Sequence, residues 1–161
     1  MSGQLFGDWD KLARDLRALE PLLKRNLTKA TFANAVHARD TMRRFIRDQG
    51  PGQNWPPLKP RTVARKGSSK MLIDHGDLIG SIGYRKLMAA GFFVGVPRGV
   101  KRKGKDIFRI AIVSEYGAPR GNIPARPFVR PGFERARPQI VANYTAAIRA
   151  TLLGSEFVRS R

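Results

Sequence analysis

The sequence has no cysteine, which excludes a disulfide framework, a thiolate metal site and a cysteine nucleophile. No apolar run approaches the ~20 residues a membrane-spanning helix needs. The opening MSGQLFGDWDKLARDL carries early acids and lacks the apolar stretch of a signal peptide, so the expectation is a soluble protein with no membrane contact. Histidine is scarce: His37 and His75 are the only two. His37 falls inside a helical pattern with Asp40 as its one nearby carboxylate, and reads as structural or solvated. No phosphate loop, nucleophile elbow or dinucleotide fingerprint is present. Asp74-His75-Gly76-Asp77 is the one cluster with ligand-type atoms, and its bland reading is helix capping by Asp74 or Asp77. The expectation is no enzyme, with no catalytic set, no cofactor and no metal.

Acid is scarce too. Twelve Asp and Glu stand against 31 Lys and Arg, a net charge of +19. Such an excess favours a polyanion or an acidic protein partner, and speaks to association rather than to fold. No acid occurs from Gln49 to Ile73, where Lys59, Arg61, Arg65, Lys66 and Lys70 lie. A second basic cluster is RGVKRKGK at 98–105, which reads as a mobile loop. A third follows Arg120, Arg126, Arg130, Arg135 and Arg137.

The 161 residues fit one domain, 1–161. Residues 1–48 read as helical. Asp8 caps an amphipathic segment with Trp9, Leu12, Leu16 and Leu19 on one face, and Pro21 opens a second, longer helix. Along that helix Leu23, Leu27, Thr31, Ala35, Ala38, Met42 and Phe45 form an apolar stripe. After Gly50-Pro51-Gly52 comes an irregular stretch in which Pro60 starts a short helix. Two strand-like runs follow, SIGYRKLM and GFFVGVP, with Ala89-Ala90-Gly91 as the turn. IFRIAIVSEYG suits strand or helix by local rules. Phe133, Ala136, Ile140, Tyr144, Ala147, Ile148 and Thr151 mark a C-terminal helix that Pro138 kinks or restarts. Residues 154–161 read as a flexible tail.

NIPARPFVRPGF, 122–133, has three prolines, and with the residues before it makes an extended arm over 118–131. Proline lowers the entropy lost when such a segment docks. Side chains two apart in an extended chain share a face, so Arg126, Phe128 and Arg130 would line one side and Pro127 and Val129 the other. An apolar anchor between two guanidinium forks suits a grip on a neighbour's surface; the alternative is that the arm folds back on its own sheet.

Several pieces in order resemble the tail-completion, or virion-morphogenesis, proteins of long-tailed bacteriophages. They are NWPPLKPRTVARKG (54–67), LIDHGDLIGSI (72–82), Val94-Gly95, IAIVSEYG (110–117) and IPARPFVRPGFE (123–134). The departures are His75, where the family often has a small residue or threonine, and the long basic loop 98–105. The resemblance implies an α+β fold: a small, mainly antiparallel sheet packed by a long N-terminal helix and a C-terminal helix, with extended loops and an arm. It favours helix for IAIVSEYG. It implies a virion protein at the head–tail junction, or neck, made in the host cytoplasm. Such a protein forms a ring of itself, of six subunits, and joins the tail terminator or tail tube to the connector. On that reading Tyr116, Gly117, Ile123, Pro124, Arg126, Pro127, Phe128 and Arg130 form the subunit or partner interface. Trp55 and Leu58 pin the 54–60 loop. Arg98, Lys101, Arg102, Lys103 and Lys105 face an acidic partner or genomic DNA in the lumen. The alternative is a small basic nucleic-acid-binding protein, or a metal-dependent nuclease using Asp74, His75 and Asp77.

Overall fold

The structure, a computed structural model, describes residues 9–87 and 91–158. It is α+β, and two long helices dominate it: α1 (Trp9–Arg47) and α5 (Val129–Leu152). Between them run α2 (Pro60–Lys66), α3 (Asp77–Ser81), β1 (Gly83–Lys86), β2 (Phe92–Gly95), β3 (Lys101–Arg102), β4 (Lys105–Asp106) and α4 (Ile107–Tyr116). The strands form two separate antiparallel pairs, β1 with β2 and β3 with β4, where one small sheet was expected. The expected turn at Ala89-Ala90 lies outside the described residues.

One helix runs through Pro21, where a restart was expected. The proline removes one bond to the carbonyl four residues back. It is exposed, so water can reach that carbonyl. Pro138 likewise lies inside a continuous α5. The expected cap at Asp8 lies outside the described residues.

The two helices run antiparallel, and their facing side chains are small or mutually polar. Ala30, Ala33, Gly132, Ala136 and Ala147 are buried along the seam. Asn143 donates to Asn34 Oδ1 at 2.7 Å, and Asn26 donates to Thr151 Oγ1 at 3.0 Å and to the Ser155 carbonyl at 2.9 Å. Buried amides whose partners lie across the seam fix the register, since a slip of one turn would leave them unpaired. The segment expected to be a flexible tail docks here. Phe157 is buried against Ala30, Ala33 and Ala147, and its N–H donates to Asn26 Oδ1 at 2.9 Å. Glu156 takes hydrogen bonds from Lys29 and Arg25, which hold its carboxyl below the usual range. Residues 159–161 lie outside the described residues.

At the other end of the seam the backbones approach closely. A Cβ added at Gly132 would sit 2.8 Å from Met42 Cγ and 3.1 Å from Met42 Cα. Gly132→Ala is therefore expected to destabilise the protein by roughly 1–2 kcal/mol, because overpacking outweighs the gain in helix propensity. A thermal midpoint that stays level or rises would contradict this packing.

The main core gathers Met42, Phe45 and Ile46 of α1 around Trp55, Leu78, Ile79, Ile82, Val96, Ile107, Ala111 and Phe128. The Trp55 ring stands edge-on to Phe45, with centroids 5.8 Å apart. Arg43 reaches from α1 to the Ile82 carbonyl at 2.6 and 3.0 Å, tying the end of α3 to α1. Gly76, with φ 77°, occupies the position before α3, so neither Asp74 nor Asp77 caps it; Asp77 is its first residue. β1 and β2 lie against α1, where Phe32 meets Tyr84 and Phe92 and Arg39 lies over the Tyr84 ring.

Candidate functional site

Four stretches far apart in sequence knot together beside this core. Pro56 and Pro57 lie outside any helix or strand, and proline-rich chain of that kind has no internal hydrogen bonds. Arg126 supplies the missing donors: its guanidinium gives two bonds to the Pro56 carbonyl, at 2.7 and 3.0 Å, and one to Pro57 at 3.2 Å. Arg126 is buried, and burial pulls its pKa below the ordinary value, though a guanidinium keeps its charge. Its backbone N–H donates to the Ser114 carbonyl of α4.

Glu115 makes the second link. Its carboxylate accepts from the backbone N–H groups of Phe128, Val129 and Arg130 at 2.7, 2.9 and 3.1 Å. These are orphan donors at the start of α5, where negative charge also suits the helix dipole. The cap comes from another helix, so it orients α4 and α5 together. Gly117 ends α4 with φ 76°, and a Cβ there would meet Ala125 N and Ile123 O, each at 2.9 Å. No other residue fits that turn without strain.

These contacts correct the reading of the arm. It is not extended throughout: residues Pro119–Gly121 form a 3-10 turn closed by a bridge between Ala118 and Ile123, and α5 begins at Val129. Phe128 is 0% exposed, so its anchor pocket is the chain's own core and not a neighbour's. Arg126 is likewise spent on the 54–60 loop, beside buried Trp55 and half-buried Leu58. The three residues do not share a face, because the helix turns Arg130 outward, where it pairs with Glu134 at 3.1 Å. Of the proposed interface residues, Tyr116, Ile123 and Arg130 remain exposed, while Pro124 and Pro127 are half-buried.

A groove of about 520 Å³ opens between β2, α4 and the start of α5. Its floor and walls are Met42, Phe92, Phe93, Val94, Val96, Phe108, Ala111, Ile112, Val129 and Phe133, with Tyr116 and Arg130 at the edge. Of the residues whose spacing marks the C-terminal helix, Phe133 and Ile148 are about half exposed. The buried face of α5 is rotated onto Gly132, Ala136, Asn143, Ala147 and Thr151. Phe133 thereby turns to the groove, which no single segment of sequence signals.

Residues 98–105 do not form a loose loop. Lys101 pairs with Asp106 and Arg102 with Lys105, in a hairpin turning at Lys103 and Gly104, whose φ values are 49° and 74°. Two positive φ values in a two-residue turn match the twist of a hairpin. Lys101, Arg102, Lys103 and Lys105 are all exposed, and Arg98 lies over the Phe108 ring, 5.5 Å from its centroid. A separate cleft of about 220 Å³ brings Asp74, His75 and Asp77 together with Lys66 and Lys105. His75 lies 3.4 Å from Asp74, and both are about half exposed. Among the described residues no group of three or more His, Cys, Asp or Glu is placed to hold a metal ion. His37 is half-buried on α1 beside Arg44 and Arg135.

No family model matches the chain, and neither a curated protein nor a solved structure matches it.

Proposed function

We propose that this chain is a structural protein of the head–tail junction of a long-tailed phage, completing the tail and joining it to the connector as a ring of identical subunits. The observation that carries the reading is the arrangement of the resembling blocks. The stretches around Trp55, Leu78–Ile82, Ala111–Gly117 and Ile123–Phe128 are separated in sequence, yet they form one interlocked unit through Arg126, Glu115 and the shared core. Residues that hold a fold together in this way give a reason for such blocks to occur in register. The exposed remainder, an apolar groove beside a basic hairpin, is a surface for binding and not for chemistry.

In a phage carrying this gene, a nonsense mutation at an early codon is expected to yield full heads and separate, uncompleted tails that do not join, visible by electron microscopy. Normal virions from the mutant would overturn the reading.

A second reading, nucleic-acid binding, is favoured by the hairpin, which exposes four cations within five residues. If it contacts four phosphates, log K should fall with log salt at a slope of about −3.6. Binding to a short duplex at ~50 mM salt that is gone by ~500 mM would assign the hairpin an accessory electrostatic role. Light scattering that shows monomers coating duplex and still bound at the higher salt would favour this second reading over the junction.

A further inference from the structure

We propose that the N-terminal stripe of α1 in one copy docks into the groove between β2, α4 and α5 of a second copy, so that subunits join head to tail. This deepens the ring-forming reading above and rests on it.

Among the described residues, two complementary surfaces lie uncovered. The first is the start of α1. The end of α5 meets α1 at Asn26, through Thr151 and Ser155. Residues Trp9 to Arg25 run on past that point for roughly 25 Å at 1.5 Å per residue. Trp9 is 70% exposed, Leu12 47% and Leu16 57%, and Leu23 follows on the same face. The second surface is the groove, open and mainly apolar.

The charges around the two surfaces match. At 100° per residue, Asp15 and Glu20 flank the stripe at about 70° on either side, while Lys11, Arg14 and Arg17 fall on the far side. The groove's lining holds Arg130, which pairs with Glu134, and Glu115, whose carboxylate is taken up by three backbone N–H groups; the recess that shares Phe93, Val96 and Phe108 with it is bordered by Arg85 and Arg98. An apolar ridge edged by acid meets an apolar furrow edged by base.

The geometry also names the occupant. Met42, in α1 itself, lines the groove. Leu16 lies 26 residues away along one continuous helix, roughly 40 Å. The stripe therefore cannot reach its own groove, and a second copy can supply it. Such a contact uses different patches on the two partners, so it repeats from copy to copy and closes into a ring where the rotation allows.

The test is the mass of the full chain by light scattering, for the wild type, Leu16→Asp, Ile112→Glu and an equal mixture of the two variants. Both positions are exposed, so thermal midpoints should stay near the wild type's. The wild type is expected to form oligomers and each variant to be monomeric. The mixture should give dimers and nothing larger, because only one intact stripe and one intact groove remain per pair. Trp9 should report the same event. The other tryptophan, Trp55, is buried, so association should move the emission to shorter wavelength in the wild type and not in Leu16→Asp. The proposal is overturned if the wild type stays monomeric into the millimolar range, if either variant assembles like the wild type, or if the mixture stays monomeric. A protein that joins heads to tails in the phage while failing this test would lose only the proposed contact. Virions that form without the protein would instead remove the junction reading.

Discussion

Phe128→Ala is expected to lower the free energy of unfolding by about 3–5 kcal/mol, the range for truncating a buried phenylalanine. The ring is 0% exposed and packs in the main core with residues of α1, α3 and α4 and with Trp55. Domains of this kind are stable by only ~5–15 kcal/mol, so the variant should be poorly soluble when produced at 37 °C. In urea the midpoint should fall with the slope of the transition unchanged. An intersubunit anchor would behave in the opposite way, leaving unfolding alone and abolishing assembly. A loss below ~1 kcal/mol, outside the range for a filled core site, would refute the internal role.

Glu115→Ala should cost about 2 kcal/mol, near the upper end for removing a helix cap. Three backbone N–H groups lose their acceptor at once, and the loss is structural twice over, because the same carboxylate fixes α4 against α5. Glu115→Gln should recover only part of this, since an amide offers one acceptor oxygen and no charge for the dipole. Glu134→Ala is the matched control. Glu134 sits on α5 itself and pairs with Arg130, but both side chains are exposed, and such pairs contribute about 0.5 kcal/mol or less. Equal effects at Glu115 and Glu134, measured by chemical denaturation, would contradict the cap.

Much of the architecture was legible in sequence because it follows local rules. The helical stripe of α1 through Ala35, Ala38, Met42 and Phe45 is buried as its spacing implies. Pro60 opens α2, and the β1–β2 pair sits where the strand-like runs lie. IFRIAIVSEYG forms a helix, which its Ile and Val content alone leaves open, since both are residues of strands.

The site was less legible, for a reason specific to its residues. In isolation, a phenylalanine and an arginine among prolines look like an outward grip. The direction of Arg126 is set by two carbonyls at Pro56 and Pro57, 70 and 69 residues away, and no periodicity reports such a partner. Glu115 reads as an ordinary surface acid for the same cause: its three donors lie 13 to 15 residues on. The groove depends on how far α5 is rotated, and buried asparagine on the seam decides that, not the apolar pattern.

The asparagine seam has a further consequence for the order of events during translation. Its bonds join residues 109 to 131 positions apart, the first quarter of the chain to the last. Contacts this distant form late, because the intervening loop must close before they are made. At ~5–20 residues per second, α1 is complete many seconds before α5 exists. During that interval its alanine and asparagine face has no partner, so a growing chain displays its projecting stripe while its groove, which includes Val129 and Phe133, is still unmade. Under the proposed contact, polyribosomes hold chains that can be received but cannot receive. Only a finished chain carries both surfaces, so the proposed contact would separate synthesis in time from polymerisation.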